Sequence, residues 1–349
     1  MRVEPRSTVP LWLILSAPMA AIVLAFLSCS LLILWTGSPV LAAYGALLRG
    51  AVGSPFALSE TLTRAIPLIL TGLAVAVCFR AKLWNIGAEG QFYGGALAAS
   101  LLGTAGLSLP RPWLVLVLLL AGWIAGGLLL WIPAWLKTQF QVDEVVTTLL
   151  LNFVILLGIS YLLEGPLKDP LALGWPQGRA LMDAALLPRL IPRSRLHAGL
   201  IIALLAALGV WAIERFTVWG LEMRAVGANP EAARFLGIPV RRVILYTSLL
   251  GGGLAGLAGA CELLGLKGYL TLDLSPGFGY TGIVVALLAQ LHPLGVVGAA
   301  VFIAGVYVGA DTMGRSLGVP TYLADVIVAA ALLWMLVCMG LARYRLRWD

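Results

Sequence analysis

Between two apolar stretches, Ile66–Phe79 and Phe92–Leu102, the chain reads Trp84-Asn85-Ile86-Gly87-Ala88-Glu89-Gly90-Gln91. This polar, glycine-rich break constrains the fold more than any other feature. Each flank supplies only half to three-quarters of the ~20 residues a helix needs to cross a bilayer. Non-helical backbone at membrane depth persists only where protein buries it or a watery cavity wets it. Short, glycine-interrupted apolar segments are also the best sequence pointer to a transporter's binding site. The break therefore points to a permeation path.

The rest of the chain agrees with a membrane setting. Of its 349 residues, 61% are hydrophobic and 11% charged, whereas soluble domains carry ~25% charged residues. The expected fold is all-α and polytopic, surrounded by membrane lipid, with discontinuous helices around a central pathway in one transmembrane domain over residues 1–349. A transmembrane barrel is excluded because Leu114–Leu130 runs apolar without the alternation its strands require. The net charge of +7 does not indicate nucleic acid, since the positive residues cluster at loop ends, where orientation signals lie. Cys29, Cys78, Cys261 and Cys338 sit far apart in apolar runs and read as packing residues. At the N-terminus, Arg2 and Arg6 precede an apolar run from Leu11 to Trp35. Phe26-Leu27-Ser28-Cys29 faintly resembles a lipoprotein cleavage site, but the run exceeds a ~7–15-residue signal core, so an uncleaved first span is expected.

The apolar segments are 11–35, 65–79, 90–107, 113–135, 145–163, 198–214, 244–262, 278–291, 294–312 and 322–341. They predict about ten crossings; the short or merging ones allow as few as eight. Arg215, Arg224, Arg234, Arg241 and Arg242, with Arg343, Arg345 and Arg347, place residues 215–243 and both termini in the cytoplasm. That requires an even number of crossings. It also puts 164–197 outside, against the pull of Arg193 and Arg195 near a span. Pro166, Pro170, Pro176, Pro188 and Pro192 bar that loop from being one long helix. Val40–Leu48, after Gly37-Ser38-Pro39, is expected as an interfacial helix.

The first break offers Trp84, Asn85, Glu89, Gln91 and Tyr93 as pathway residues. A charge on Glu89 at membrane depth costs at least ~2.5–3.5 kcal/mol unless paired, protonated or wetted, and Arg80 and Lys82 are its nearest cations in sequence. Amides beside aromatic faces suit a neutral, hydroxyl-rich or ring-bearing solute. A cytoplasmic turn anchored by Arg80 and Lys82 is the alternative, but it needs neither the glutamate nor the repeated glycines. The second break, Asp273 to Thr281, adds Asp273, Tyr280 and Thr281. It either faces the first across the pathway or is an ordinary extracellular loop with a Ser-Pro-Gly turn. Gly90–Gly95 can be laid on Gly277–Gly282 as an internal echo, though forty glycines make such matches easy.

Residues 227–239 carry the second strong signal. Asn229 is a good N-cap, Pro230 fits the first helical position, and Gly237 with Pro239 stops the helix. So short a helix needs external support. Ala232, Phe235 and Leu236 share one face, and Glu231 and Arg234 another. An apolar knob flanked by charges suits insertion into a groove on another protein.

Asn85-Ile86-Gly87-Ala88-Glu89-Gly90-Gln91 and Gly227-Ala228-Asn229-Pro230-Glu231-Ala232-Ala233 together resemble the permease subunits of bacterial ABC importers for nucleosides and simple sugars, in the wider branched-chain amino acid and ribose permease family. Asp143–Asn152 and Thr281–Leu288 resemble further family stretches in the same order, over roughly 65–300. Two departures stand out: Trp84 replaces the usual phenylalanine, and Asp143-Glu144 the usual Asn-Glu. The resemblance implies a cytoplasmic ABC ATPase, a second homologous permease subunit, an extracytoplasmic substrate-binding lipoprotein and residence in the bacterial inner membrane.

No cofactor, metal or covalent chemistry is expected. The absence of a Gly-Lys pair removes the usual phosphate-binding loop, so ATP must act through a partner. Gly314-Arg315-Ser316-Leu317-Gly318 matches a hydrolase elbow pattern, but neither His197 nor His292 follows Ser316 as that chemistry requires. Gly252 and Gly256 are expected to permit close helix packing. A proton-coupled secondary transporter with Glu89 as proton carrier is the alternative function.

Overall fold

Every apolar segment becomes a helix. The computed structural model describes residues 2–5 and 10–347, so Arg6 of the N-terminal charge signal lies outside the described residues. In chain order the helices are α1 (Leu11–Trp35), α2 (Val40–Val52), α3 (Pro55–Arg80), α4 (Ala88–Thr104), α5 (Arg111–Phe140), α6 (Glu144–Glu164) and α7 (Gly199–Phe216). They continue with α8 (Val218–Ala228), α9 (Pro230–Phe235), α10 (Val240–Glu262), α11 (Phe278–Leu288), α12 (Pro293–Leu317) and α13 (Leu323–Arg343). A π-helical turn, Leu263–Lys267, extends α10.

Eight helices among the described residues are long and apolar enough to cross a membrane: α1, α3, α5, α6, α7, α10 with its extension, α12 and α13. The other two expected crossings are incomplete as helices. α4 has 17 residues and α11 has 11, hence lengths of roughly 26 and 17 Å at 1.5 Å per residue. Non-helical stretches, 81–87 and 268–277, lead into them. The chain thus crosses about ten times, twice through discontinuous helices.

Two compact units are distinguished. Within the unit Leu62–Val301, helix ends fall on two opposite faces. On one face Lys137 near the end of α5 pairs with Glu144 at the start of α6, and Arg80 at the end of α3 pairs with Glu214 near the end of α7. On the other, Arg111 at the start of α5 donates to Leu186 O (3.1 Å). There too Leu187 N donates to Leu264 O and Gly178 N to Leu270 O, each at 2.8 Å. Residues 164–197 therefore cap one end of this unit and 215–243 the other.

The interior of this unit is a backbone-to-backbone junction of α4, α5 and α10. A Cβ on Gly256 would lie 2.2 Å from Gly122 O, and one on Gly95 would lie 2.2 Å from Gly256 O. Only hydrogen fits at such a crossing, which bears out the expected role of Gly256.

The second unit combines Met1–Thr61 with Phe302–Asp349. In it α1 lies along α13, where Trp334 Nε1 donates to Ser28 Oγ (2.9 Å). Phe26 meets Tyr44 and Phe302 edge to face. The helix expected over Val40–Leu48 extends to Val52, and α2 packs on α12 where Gly309 approaches Leu47 O. β1 (Arg2–Pro5) pairs antiparallel with β2 (Tyr344–Arg347).

Gly256→Val should lower the thermal unfolding midpoint of the detergent-purified protein markedly, because inserting carbons into a close-packed junction costs about 1–3 kcal/mol or more. An unchanged midpoint would mean that this crossing is looser than described.

Candidate functional site

α3 ends at Arg80, and Lys82 turns the chain through a left-handed conformation (φ 52°). Residues 83–87 then run without helical bonding, and buried amide and carbonyl groups must find partners elsewhere. α6 supplies them. Asp143 starts that helix by accepting from Val145 N (2.7 Å) and Val146 N. Glu144, Thr148 and Asn152 follow at four-residue intervals and therefore share one face. Trp84 N donates to Glu144 Oε1 (3.3 Å) and Ile86 N to Thr148 Oγ1 (3.3 Å). Asn152 Nδ2 donates to Ile86 O (2.9 Å), while its Oδ1 accepts from Gly90 N (2.7 Å). A stripe of helix side chains thus replaces the neighbouring strand that an extended segment would otherwise need. Asn85 and Gln91 exchange two amide hydrogen bonds of 2.9 Å, and Asn85 Oδ1 also accepts from Gly87 N. Trp84, at the departure from the family pattern, packs edge-on against Phe79 with ring centres 4.7 Å apart.

The second break lies directly on the first. Glu89 Oε2 accepts from Gly279 N (2.6 Å) in the first turn of α11, and the Ser275 hydroxyl bonds the same side chain. A Cβ on Gly279 would lie 2.2 Å from Glu89 N, so the contact requires glycine. Tyr93 OH donates to Leu272 O (2.5 Å) and accepts from Ser275 N (3.1 Å). Thr71 Oγ1 reaches Phe278 O (3.0 Å). Arg80 and Lys82, the cations nearest to Glu89 in sequence, are engaged elsewhere: Arg80 with Glu214, and Lys82 with Ala228 O (3.2 Å). The carboxylate instead meets a helix N-terminus, whose free N–H groups and positive dipole end favour an anion.

This arrangement sorts the expected pathway residues. Asn85, Glu89, Gln91 and Tyr93 are buried within the chain. Trp84 and Tyr280 keep 44% and 40% of their surface exposed; Thr281 is half-buried and Asp273 exposed. Tyr280 OH accepts from Asn152 Nδ2 (3.2 Å), so its ring sits at the break with one flank open. Asp273 points away and pairs with Lys267 (2.9 Å).

Near Lys267, a cavity of about 330 Å³ is lined by Arg189, Arg195, Gly265, Leu266, Lys267 and Tyr269. Behind it His197 is fully buried, its ring occupying the space a Gly265 side chain would take. His197 Nδ1 accepts from Gly199 N (3.1 Å), so Nε2 carries the proton and is enclosed without a partner. Burial pushes the imidazole down from 6.5 to about 4.

Residues 229–237 fold as the sequence predicts. Asn229 Oδ1 accepts from Glu231 N (2.9 Å) and Ala232 N (3.1 Å), Pro230 begins the helix, and Gly237 leaves it at φ 82°. Glu231, Ala232 and Arg234 are exposed, and Phe235 and Leu236 are 93% and 75% exposed. α8, capped by Thr217, lies in a stretch that the sequence reading treats as loop. Sequence reasoning also misses Glu144, Thr148, Asn152 and Glu214 as structural partners. The signals were present: polar residues four apart on an apolar helix, and an acid inside a span.

Residues 57–336 match the family described as branched-chain amino acid transport system / permease component. The chain belongs to that family. A glucose ABC transporter permease of Haloferax volcanii is 36% identical over 99% of this chain and 93% of its own length. A guanosine ABC transporter permease of Bacillus subtilis is 38% identical over 92% of each chain. A nucleoside ABC transporter permease of Lactococcus lactis is 29% identical over 92% of this chain and 90% of its own. The permease is therefore the membrane subunit of an ABC transporter and not an enzyme; ATP hydrolysis belongs to a separate subunit.

Asn152→Leu removes both groups that hold Ile86 and Gly90. Leaving buried backbone groups unpaired costs about 1–3 kcal/mol each, so the purified variant should unfold at clearly lower temperature and the 84–91 segment should become protease-sensitive. Wild-type resistance would show that the stripe is dispensable. A separate effect concerns pH. The unfolded chain protonates His197 near 6.5, the folded permease only near 4. The unfolded state binds the extra proton between these values, so this stabilisation is complete above 6.5 and shrinks as pH falls toward 4. His197→Asn, which keeps an acceptor for Gly199 N, should flatten that part of the pH–unfolding profile.

Proposed function

We propose that the permease translocates nucleosides or simple sugars into the cell by alternating access, with partner ATPases supplying the energy. The full-length likeness to nucleoside, guanosine and glucose permeases carries the substrate class. The geometry agrees: Tyr280 and Trp84 present aromatic faces beside an amide-rich break, which suits a ring-bearing, hydroxyl-rich solute. The pathway runs along the surface that carries these two rings and Thr281, and a second homologous permease subunit closes it. Asn85, Glu89, Gln91 and Tyr93 shape the wall from behind, and Asp273 lies at its outer mouth.

In this reading the chain acts as one permease domain in the bacterial inner membrane, with both termini and residues 215–243 in the cytoplasm. Asn229, Glu231, Ala232, Arg234, Phe235 and Leu236 form the ATPase dock. The apolar knob of Phe235 and Leu236 is left uncovered by its own subunit, and a hydrophobic pair at the tip of a capped helix suits a groove on a partner. Residues 164–197 are extracytoplasmic, and the cavity edged by Arg189, Arg195 and Lys267 offers a cationic seat to the substrate-binding lipoprotein. The proton-carrier alternative is disfavoured, because Glu89 already serves as the anchor of α11 and the three relatives described above are named as ABC transporter permeases.

Replacing both Phe235 and Leu236 with Asp should abolish solute uptake and co-purification of the ATPase, while the variant inserts into the membrane at wild-type level. Retained uptake in cells would remove the docking role.

A further inference from the structure

The α8–α9 corner touches the end of α3 at several points. A Cβ on Gly227 would lie 1.9 Å from Arg80 O, so the two backbones are in contact there. Lys82 Nζ donates to Ala228 O (3.2 Å). Arg224 of α8 donates to Glu214 O, and the Glu214 carboxylate pairs with Arg80 Nη1 (3.3 Å). Movement of the corner cannot leave Arg80 where it is.

Arg80 also reaches the far end of α11. Its Nη2 donates to Leu291 O (2.6 Å), in a turn where Gln290 and Leu291 both adopt left-handed conformations (φ 52° and 59°). The other end of α11 is held by Glu89 through Gly279 N (2.6 Å). Chain and contacts thus close a ring: from Arg80 through 81–89 to Glu89, across to Gly279, down α11 to Leu291, and back to Arg80. Both discontinuous crossings belong to this ring, and two side chains tie it to the region of α7 to α9: Lys82 through Ala228 O, and Arg80 through Glu214, whose backbone carbonyl Arg224 of α8 holds.

The Arg80–Glu214 grip is only half made. Arg80 Nε and Glu214 Oε1 are buried with no hydrogen-bond partner among the described residues, while Nη1 holds Glu214 Oε2 and Nη2 holds Leu291 O. The forked end of the guanidinium, Nη1 with Nη2, is thus divided between two acceptors.

We propose that Arg80 is the positioning residue that transmits movement of the ATPase-docking corner to both breaks, by holding Glu214 and Leu291 O at once. This rests on the reading of α9 as the dock. Lysine retains the charge but not the planar fork, so Arg80→Lys can keep Glu214 or Leu291 O but not both. The assembled transporter carrying Arg80→Lys, with its ATPase and binding protein in proteoliposomes, should assemble and hydrolyse ATP at a rate near wild type. Uptake per ATP should fall by about tenfold. In the same complexes a cysteine at Tyr280, with Cys29, Cys78, Cys261 and Cys338 replaced, should lose the difference in thiol labelling between ATP-bound and nucleotide-free states. Glu214→Gln, which keeps an acceptor, should move uptake per ATP the same way by less. Normal uptake per ATP in Arg80→Lys overturns the proposal. So does a proportional fall in uptake and hydrolysis, or failure to assemble, since each marks a merely structural residue. The docking reading fails separately: there the Phe235/Leu236 double Asp variant keeps its ATPase.

Discussion

Five residues of non-helical backbone inside a membrane protein set the terms for everything around them. Residues 83–87 do not continue the helical ladder, and lipid offers no hydrogen bonds. The answer is a helix face, Glu144, Thr148 and Asn152, that bonds Trp84 N, Ile86 N, Ile86 O and Gly90 N. Such a face cannot be turned toward lipid without leaving its polar groups bare. It therefore fixes the rotation of α6, and with it the side on which Tyr280 and Trp84 remain open.

The buried charge follows the same logic. Glu89 would be costly alone in lipid, yet the second irregular stretch, 268–277, leaves the N-terminus of α11 free beside it. Two features that are each unfavourable in lipid, a carboxylate and a broken helix, satisfy one another at Gly279 N. The glycine junction of α4, α5 and α10 supports this from behind, since it brings α4 close enough for its first turn to meet α11.

Much of this was legible in the sequence. The ten apolar segments all became helices, because a run of aliphatic residues in a chain so poor in charge has few other options. Asn229, Pro230 and Gly237 placed α9 to the residue, since capping is local chemistry. Gly256 announced a close crossing. The break at 84–91 was visible as polar residues where apolar ones were due, and so was the possibility that the second break faced it.

What the sequence could not carry was partner choice. Arg80 and Lys82 lie nine and seven residues before Glu89, yet Arg80 belongs to Glu214 and Lys82 to a carbonyl across the unit. Nearness along the chain says little about a side chain that extends from a helix end. Whether the two breaks meet across water or in direct contact also waited for the fold, because Gly279 and Glu89 touch only through the packing of α4 against α11. The sequence by itself determined the membrane class, the crossings, the breaks and the capped helix, all properties of composition and of contacts within a few residues. The tertiary structure alone decided which polar group satisfies which, because in a medium without water each must find its partner wherever the packing of distant helices brings one within reach.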